Sequence, residues 1–146
     1  MALEHGARVV IVDDDPFFVE AMLLLLPQLG FAPVACALDG AEAIAVVQEH
    51  VPDLTLVDLD MPLLDGVEAI SQISRTSPEV TVLAVTGSAE QRGAEAVAAG
   101  AVACVSKSDV RASLEALIRR SPQLHQTHVG DLNADCRDAD ERDQLR

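Results

Sequence analysis

The sequence predicts an α/β domain built on a doubly wound parallel sheet. Short β-branched runs alternate five times with longer helical patterns. The runs are apolar on consecutive residues, which marks strands buried on both faces. Helix start signals follow the strand ends within a few residues. With right-handed crossovers, five such units give an open sheet with helices on both sides.

The first strand is RVVIV, Arg8–Val12. Asp15-Pro16 then supplies an N-cap and a proline at the first helical position, where its missing N–H costs nothing. The helix that follows carries five consecutive apolar residues, Met22 to Leu26, more than one buried face absorbs. Part of that surface is expected to meet a partner; the alternative is a partly exposed leucine or two, which is common. Gly30 ends this helix and APVACA, Ala32–Ala37, forms the second strand. Asp39 with Glu42 starts the second helix by the cap-plus-three pattern. LTLV, Leu54–Val57, is the third strand, and Asp65 with Glu68 starts the third helix. VTVLAV, Val80–Val85, is the fourth strand, followed by Ser88 with Gln91 as a helix start and Gly100 as its stop. AVACV, Ala101–Val105, is the fifth strand. The last helix runs from about Asp109 to Arg120, with Val110, Leu114, Leu117 and Ile118 as its buried stripe.

Residues 1–120 thus make one domain, and 121–146 read as an acidic, largely disordered tail or linker, polar and only weakly periodic. Apolar residues are 49% of the chain, but aromatics only 2%, so the core is aliphatic. A net charge of −14 argues against nucleic-acid contact and against an acidic membrane surface. Cys36, Cys104 and Cys136 are odd in number and lack a CxxC spacing, so neither a disulfide framework nor a zinc site is indicated. No apolar run approaches the roughly 20 residues of a membrane span, and the N-terminus has no secretory pattern. A cytoplasmic location is expected.

In a doubly wound sheet, functional groups gather at the carboxyl ends of the strands. The first strand ends in Asp13-Asp14-Asp15, the third in Asp58 with Asp60 beyond it, the fourth in Thr86, and the fifth in Ser106-Lys107. Lys107 is the one lysine in a chain with nine arginines, and a compact ammonium suits a phosphoryl group or carboxylate as a point charge. Carboxylates crowded within a few ångströms raise one another's pKa values. A hard divalent cation, Mg²⁺ or Mn²⁺, relieves that crowding through oxygen ligands. Asp58 then suits the role of carboxylate nucleophile toward phosphorus, with Lys107 and the metal stabilising the transferring group and the Thr86 hydroxyl bonding the product. Bland readings stand beside these. Asp13 and Asp15 suit helix caps, Thr86 suits a β-branched strand end, and Asp60 suits a solvated loop charge.

The segments IVDDDP, LVDLDMPLLDG, AVTGS and ACVSK, spread over about residues 7–120, resemble the response-regulator receiver domains of two-component signalling, NarL/FixJ-like ones most of all. The resemblance implies a three-layer (βα)5 flavodoxin-like fold with strand order 2-1-3-4-5. It implies Asp58 as phosphoacceptor, and Thr86 and Lys107 as switch hydroxyl and phosphate-pairing amine. Asp14 would be the main acidic metal ligand, Asp13 would act mostly through a metal-bound water, and Asp60 would ligate by its backbone carbonyl. The implied partners are a histidine kinase or phosphotransfer protein. A homodimer through the first helix, or through the face of the fourth helix, fifth strand and fifth helix, is a further expectation. The protein would phosphorylate itself from a donor and lose the group slowly, without being an enzyme in the usual sense.

The chain departs from this family at two places. Relatives usually carry an aromatic residue three positions before the lysine, where this chain has Cys104. The switch is therefore expected to pass through the loop after the fourth strand and a fourth helix loosened by Gly93. Many relatives have proline after the lysine; here Ser108 follows, a candidate cap for the fifth helix. Two other functions compete with the phosphorylated switch. One is a receiver-like interaction module that uses no phosphate. The other is a haloacid-dehalogenase-type phosphatase, resembled only by the Asp58-Leu59-Asp60 spacing and lacking the Gly-Thr that continues that motif.

Overall fold

The computed structural model describes residues 6–61, 64–87 and 89–119, the side chains of 89–91 and 119 aside. The expected tail, 121–146, and the Ser88 cap lie outside the described residues. Five strands and five helices alternate in the order β1 (Arg8–Val12), α1 (Pro16–Gln28), β2 (Ala32–Ala37), α2 (Gly40–His50), β3 (Leu54–Asp58), α3 (Gly66–Thr76), β4 (Thr81–Thr86), α4 (Ala89–Ala99), β5 (Ala103–Ser106) and α5 (Val110–Arg119). The sheet is parallel with strand order β2-β1-β3-β4-β5, as expected.

The consecutive apolar runs follow from a core on each side of the sheet. Val9 and Ile11 of β1, Leu54 and Leu56 of β3, and Leu83 and Val85 of β4 pack with Val19, Met22 and Leu26 of α1 and Val110, Leu114 and Ile118 of α5. The alternate residues Val10, Val12, Val57, Val82 and Ala84 pack with Ala43 and Val47 of α2, Ile70 and Ile73 of α3, and Ala96 of α4. Past Arg8, each residue of β1 to β4 therefore points to a buried layer whichever way it faces. A large aliphatic side chain buried in this way contributes about 1.5–3 kcal/mol.

The caps form as the sequence indicates. Asp15 accepts from Phe17 N, Asp39 from Glu42 N, and Asp65 from Val67 N. Gly30 and Gly100 adopt positive φ of 92° and 130° after their helices. The apolar run in α1 is only partly absorbed: Met22, Leu23 and Leu26 are buried, Leu25 packs at the core's edge, and Leu24 is 68% exposed. Four elements differ in their bounds from expectation. β3 runs on to Asp58, β4 is shifted by one residue to Thr81–Thr86, and α5 begins at Val110, while its expected last residue, Arg120, lies outside the described residues. β5 begins at Ala103, two residues late, and all four of its residues are only half-buried. It is the sheet edge, paired on one side alone, so the burial expected of a central strand does not apply there.

Candidate functional site

β1 ends by delivering three acids to the carboxyl edge of the sheet, each with a different task. Asp13 is fully buried and its Oδ1 accepts from Asp15 N at 2.8 Å. Asp14 is exposed. Asp15 caps α1. On the neighbouring strand, Asp58 is the last residue of β3 and is buried, its Oδ1 accepting from Asp60 N at 3.1 Å. Gly66 keeps the next helix close behind it. A Cβ at Gly66 would lie 2.5 Å from the Asp58 carbonyl oxygen and 2.6 Å from Leu59 Cα, so only glycine permits this approach.

Carboxylate oxygens of Asp13, Asp14 and Asp58 lie within 4.8 Å of one another. Burial pushes the Asp58 carboxyl up from 3.8 to about 7, and the Asp13 charge adds to the rise. The Asp60 amide and Lys107 oppose it without cancelling it. The crowding expected from the sequence is therefore present, with burial the larger cause. Three hard oxygen donors with a surplus of negative charge and no nitrogen or sulfur among them suit Mg²⁺ or Mn²⁺.

Lys107 reaches this cluster from the far side of the sheet. Its Nζ lies 3.0 Å from Asp13 Oδ2, 3.9 Å from Asp58 Oδ2 and 4.0 Å from Asp15 Oδ2. Partial burial alone would lower its pKa; Asp13 first, then Asp58 and Asp15, raise it instead. Its backbone N donates to Thr86 O at 3.1 Å, which fixes the root of the side chain to β4. The ammonium also lies 4.7 Å from the centroid of the Phe18 ring. No described peptide bond is cis, so Lys107-Ser108 is trans. Ser108 does not cap α5. Its hydroxyl pairs with Ser106 Oγ at 2.9 Å, and Ser106 Oγ donates to Asp109 Oδ2 at 2.9 Å.

Thr86 is fully buried, and its hydroxyl donates to Asp60 Oδ2 at 2.7 Å. Asp60 is thus more than a solvated loop charge: its amide serves Asp58 and its carboxylate holds the Thr86 hydroxyl. On the same side Arg92, in α4, donates to Leu59 O at 2.9 Å and to both oxygens of Asp65 at 2.8 and 2.7 Å. It lies 3.9 Å from Asp60 and 3.8 Å from Glu95. Burial, the largest single influence, raises the Asp65 pKa, but Arg92 and the Val67 amide together outweigh it and hold the carboxyl below its usual value. Cys104 is half-buried beside α4, 3.7 Å from where a Cβ on Gly93 would sit, and burial pushes its thiol pKa up.

The six residues singled out from the sequence, Asp13, Asp14, Asp58, Asp60, Thr86 and Lys107, therefore meet at one edge of the sheet. Two participants were missed. Arg92 is one of several polar residues on an exposed helix, and nothing in its spacing marks it. Phe18 has a weak signal, as one of three aromatics in the chain, four residues after Asp14.

The model of the response regulator receiver domain family matches residues 9–119. Among curated relatives, a probable C4-dicarboxylate response regulator of Priestia megaterium is 33% identical over 83 residues, 56% of this chain and 36% of that protein. The chemotaxis protein CheY of Bacillus subtilis is 42% identical over 55 residues, 38% of this chain and 46% of that protein. The chain spans from about a third to a half of the first three curated relatives it matches, at 36%, 31% and 50% of their lengths. Among solved structures, the signal receiver domain of NarL from Mycobacterium tuberculosis is 26% identical with a TM-score of 0.71, covering 82% of this chain and 98% of that one. A LuxR-family response regulator from Aurantimonas is 30% identical with a TM-score of 0.68, covering 94% and 98%. With the family match spanning nearly all of the described fold, this chain belongs to the response regulator receiver domains, the phosphoaccepting modules of two-component signalling.

Proposed function

We propose that Asp58 is the phosphoacceptor and that the surrounding residues form a switch driven by its modification. The observation that carries this is the placement of the Lys107 ammonium within 4.0 Å of Asp13 and Asp58, beside three clustered carboxylates. An Asp58 carboxylate oxygen attacks the phosphorus of a phosphohistidine on a kinase or phosphotransfer protein. The P–N bond breaks, its electron pair stays on the imidazole, and an acyl phosphate forms on Asp58. Asp13, Asp14 and Asp58, with the carbonyl of Asp60, would hold Mg²⁺ or Mn²⁺. When bound, the cation supplies positive charge against the carboxylates and the phosphoryl oxygens. Lys107 contributes a second positive charge beside the same carboxylates.

Thr86 supplies the readout. Its hydroxyl rests on Asp60 at 2.7 Å, and a phosphoryl oxygen on Asp58 is a stronger acceptor within the same pocket. Transfer of that hydrogen bond pulls the end of β4 inward and frees the Asp60 carboxylate for Arg92, now 3.9 Å away. Signal then reaches α4 through Arg92, without the aromatic residue that Cys104 replaces. The protein acts as a phosphoacceptor with slow self-hydrolysis, in the cytoplasm, with 1–120 as the receiver unit and 121–146 as its tail. Partner contact is assigned to the outer face of α1, where Phe17 is 81% and Leu24 68% exposed two turns apart, or to the α4–β5–α5 face.

Intact mass spectrometry with acetyl phosphate and Mg²⁺ tests the proposal. Wild type gains one phosphoryl group, lost slowly on dilution and absent without Mg²⁺; Asp58→Asn gains none. Equal labelling of the two proteins would overturn the assignment of Asp58. No labelling of either would favour an interaction module that uses no phosphate.

A further inference from the structure

We infer that Phe18 is a positioning residue for Lys107: its ring is the seat that keeps the ammonium over the acceptor carboxylate while the charges around it change. The ammonium lies 4.7 Å from the ring centroid, inside the range where the negative face of an aromatic attracts a cation. Its other partners are Asp13, Asp15 and Asp58, and two of these belong to the carboxylate cluster that suits a divalent cation. A cation held by Asp13 and Asp58 competes with Lys107 for their negative charge, and phosphorylation converts Asp58 itself. The ring neither titrates nor binds a hard cation, so its attraction for the ammonium is unchanged through the cycle. Lys107 has a flexible four-carbon stem and is 29% exposed, so a partner lost to competition leaves it free to swing into solvent.

The ring is well placed to act as a fixed wall. Asp15 caps α1 and Pro16 begins it, so Phe18 falls in the first helical turn, directly beyond the acid triplet. The ring is half-buried and packs against the core that α1 and α5 share with the sheet. The root of Lys107 is equally fixed, through its N–H to Thr86 O. Seat and stem therefore come from distant parts of the chain and meet only in the folded sheet.

Lys107 is the sole lysine, so protein labelled with ¹³C-lysine gives a single ε-methylene signal. In wild type its two ε protons should be inequivalent, as in a held side chain, with and without Mg²⁺. In Phe18→Leu, which keeps the apolar volume and loses the ring, they should become equivalent once Mg²⁺ is added. Phe18→Tyr should restore the inequivalence. Phosphorylation by acetyl phosphate should slow roughly 3- to 10-fold in Phe18→Leu. In a Lys107→Ala background the Phe18→Leu change should have no further effect. The inference is overturned if the ε protons of Phe18→Leu stay inequivalent in Mg²⁺, or if Phe18→Leu slows Lys107→Ala as much as it slows wild type. The kinetic arm rests on Asp58 as acceptor, while the spectroscopic arm does not. A wild type that takes no phosphoryl group but holds Lys107 against the ring would remove that reading and leave this one standing.

Discussion

Asp58 keeps its proton over a pH range in which an ordinary aspartate has lost it, because burial and the Asp13 charge lift its pKa from 3.8 to about 7. Between these two values the folded chain binds a proton at Asp58 and the unfolded chain does not. Stability therefore falls as pH rises through the window, and above about 7 the cost of the buried charge is fully present. Asn has the shape of the protonated acid and no charge. In chelator, Asp58→Asn should raise the melting temperature by several degrees at pH 8 and hardly at all at pH 5. Scanning calorimetry at the two pH values checks this; an equal gain at both would mean that charge is not the cause. A second local strain sits at Val51, a β-branched residue at φ 45°, just past α2 and half exposed. Left-handed backbone costs an L-residue roughly 1–2 kcal/mol, and less for glycine. The Arg8 guanidinium accounts for its persistence, donating to His50 O at 2.6 Å and Val51 O at 3.2 Å and so closing the helix end. Val51→Gly should stabilise the domain by about 1 kcal/mol in urea titration, since the Arg8 bonds use only main-chain oxygens.

At the scale of elements, α4 is tied to the end of β3 and the start of α3 by one side chain. Arg92 bonds Leu59 O and makes a two-pronged contact with Asp65, the residue that caps α3. Asp65 is 52% exposed, so screening limits the pair to about 1 kcal/mol, roughly fivefold in an opening equilibrium. Arg92→Ala should raise amide hydrogen exchange by about that factor in α4 and the first turn of α3. β1 and α5, which Arg92 does not touch, should keep their protection. Uniform loss across the domain would show that Arg92 supports the fold and not this one junction. The same element shows where sequence reasoning stops. α4 was legible from its stop at Gly100 and its place between two apolar runs. The strands were legible because each residue faces one of two buried layers, and the site because strand ends converge in any doubly wound sheet. The start of β5 was not, since the edge position that leaves Val102 46% exposed depends on the finished sheet. Neither was the Thr86–Asp60 bond, a choice of side-chain rotamer, nor Arg92, whose hydrogen-bond partners, Leu59 and Asp65, lie outside its own helix.

The whole domain is coupled to its site because the acids exist as a cluster only when β1 and β3 lie side by side. Asp13 and Asp14 follow β1 and Asp58 ends β3, and those strands are held together by backbone pairing from Val9–Leu54 to Val12–Val57 and by cores on both faces. An unfolded chain separates the carboxylates and loses the site. A cation that binds only the folded form stabilises it by about 2.7 kcal/mol at a concentration 100 times its dissociation constant. For a domain of this size that corresponds to a rise of roughly 10 °C in melting temperature. Mg²⁺ should therefore raise the melting temperature in proportion to the logarithm of its concentration once the site is saturated. Ionic strength must be matched with NaCl, because a chain of net charge −14 gains something from screening alone. Asp14→Asn is the sharper variant, since Asp14 is exposed and its loss disturbs no packing. It should melt close to wild type without the metal and lose most of the Mg²⁺-dependent rise. If wild type and Asp14→Asn respond alike to Mg²⁺ at matched ionic strength, the cation is acting on the general charge of the chain, and the three carboxylates at the sheet edge are not its site.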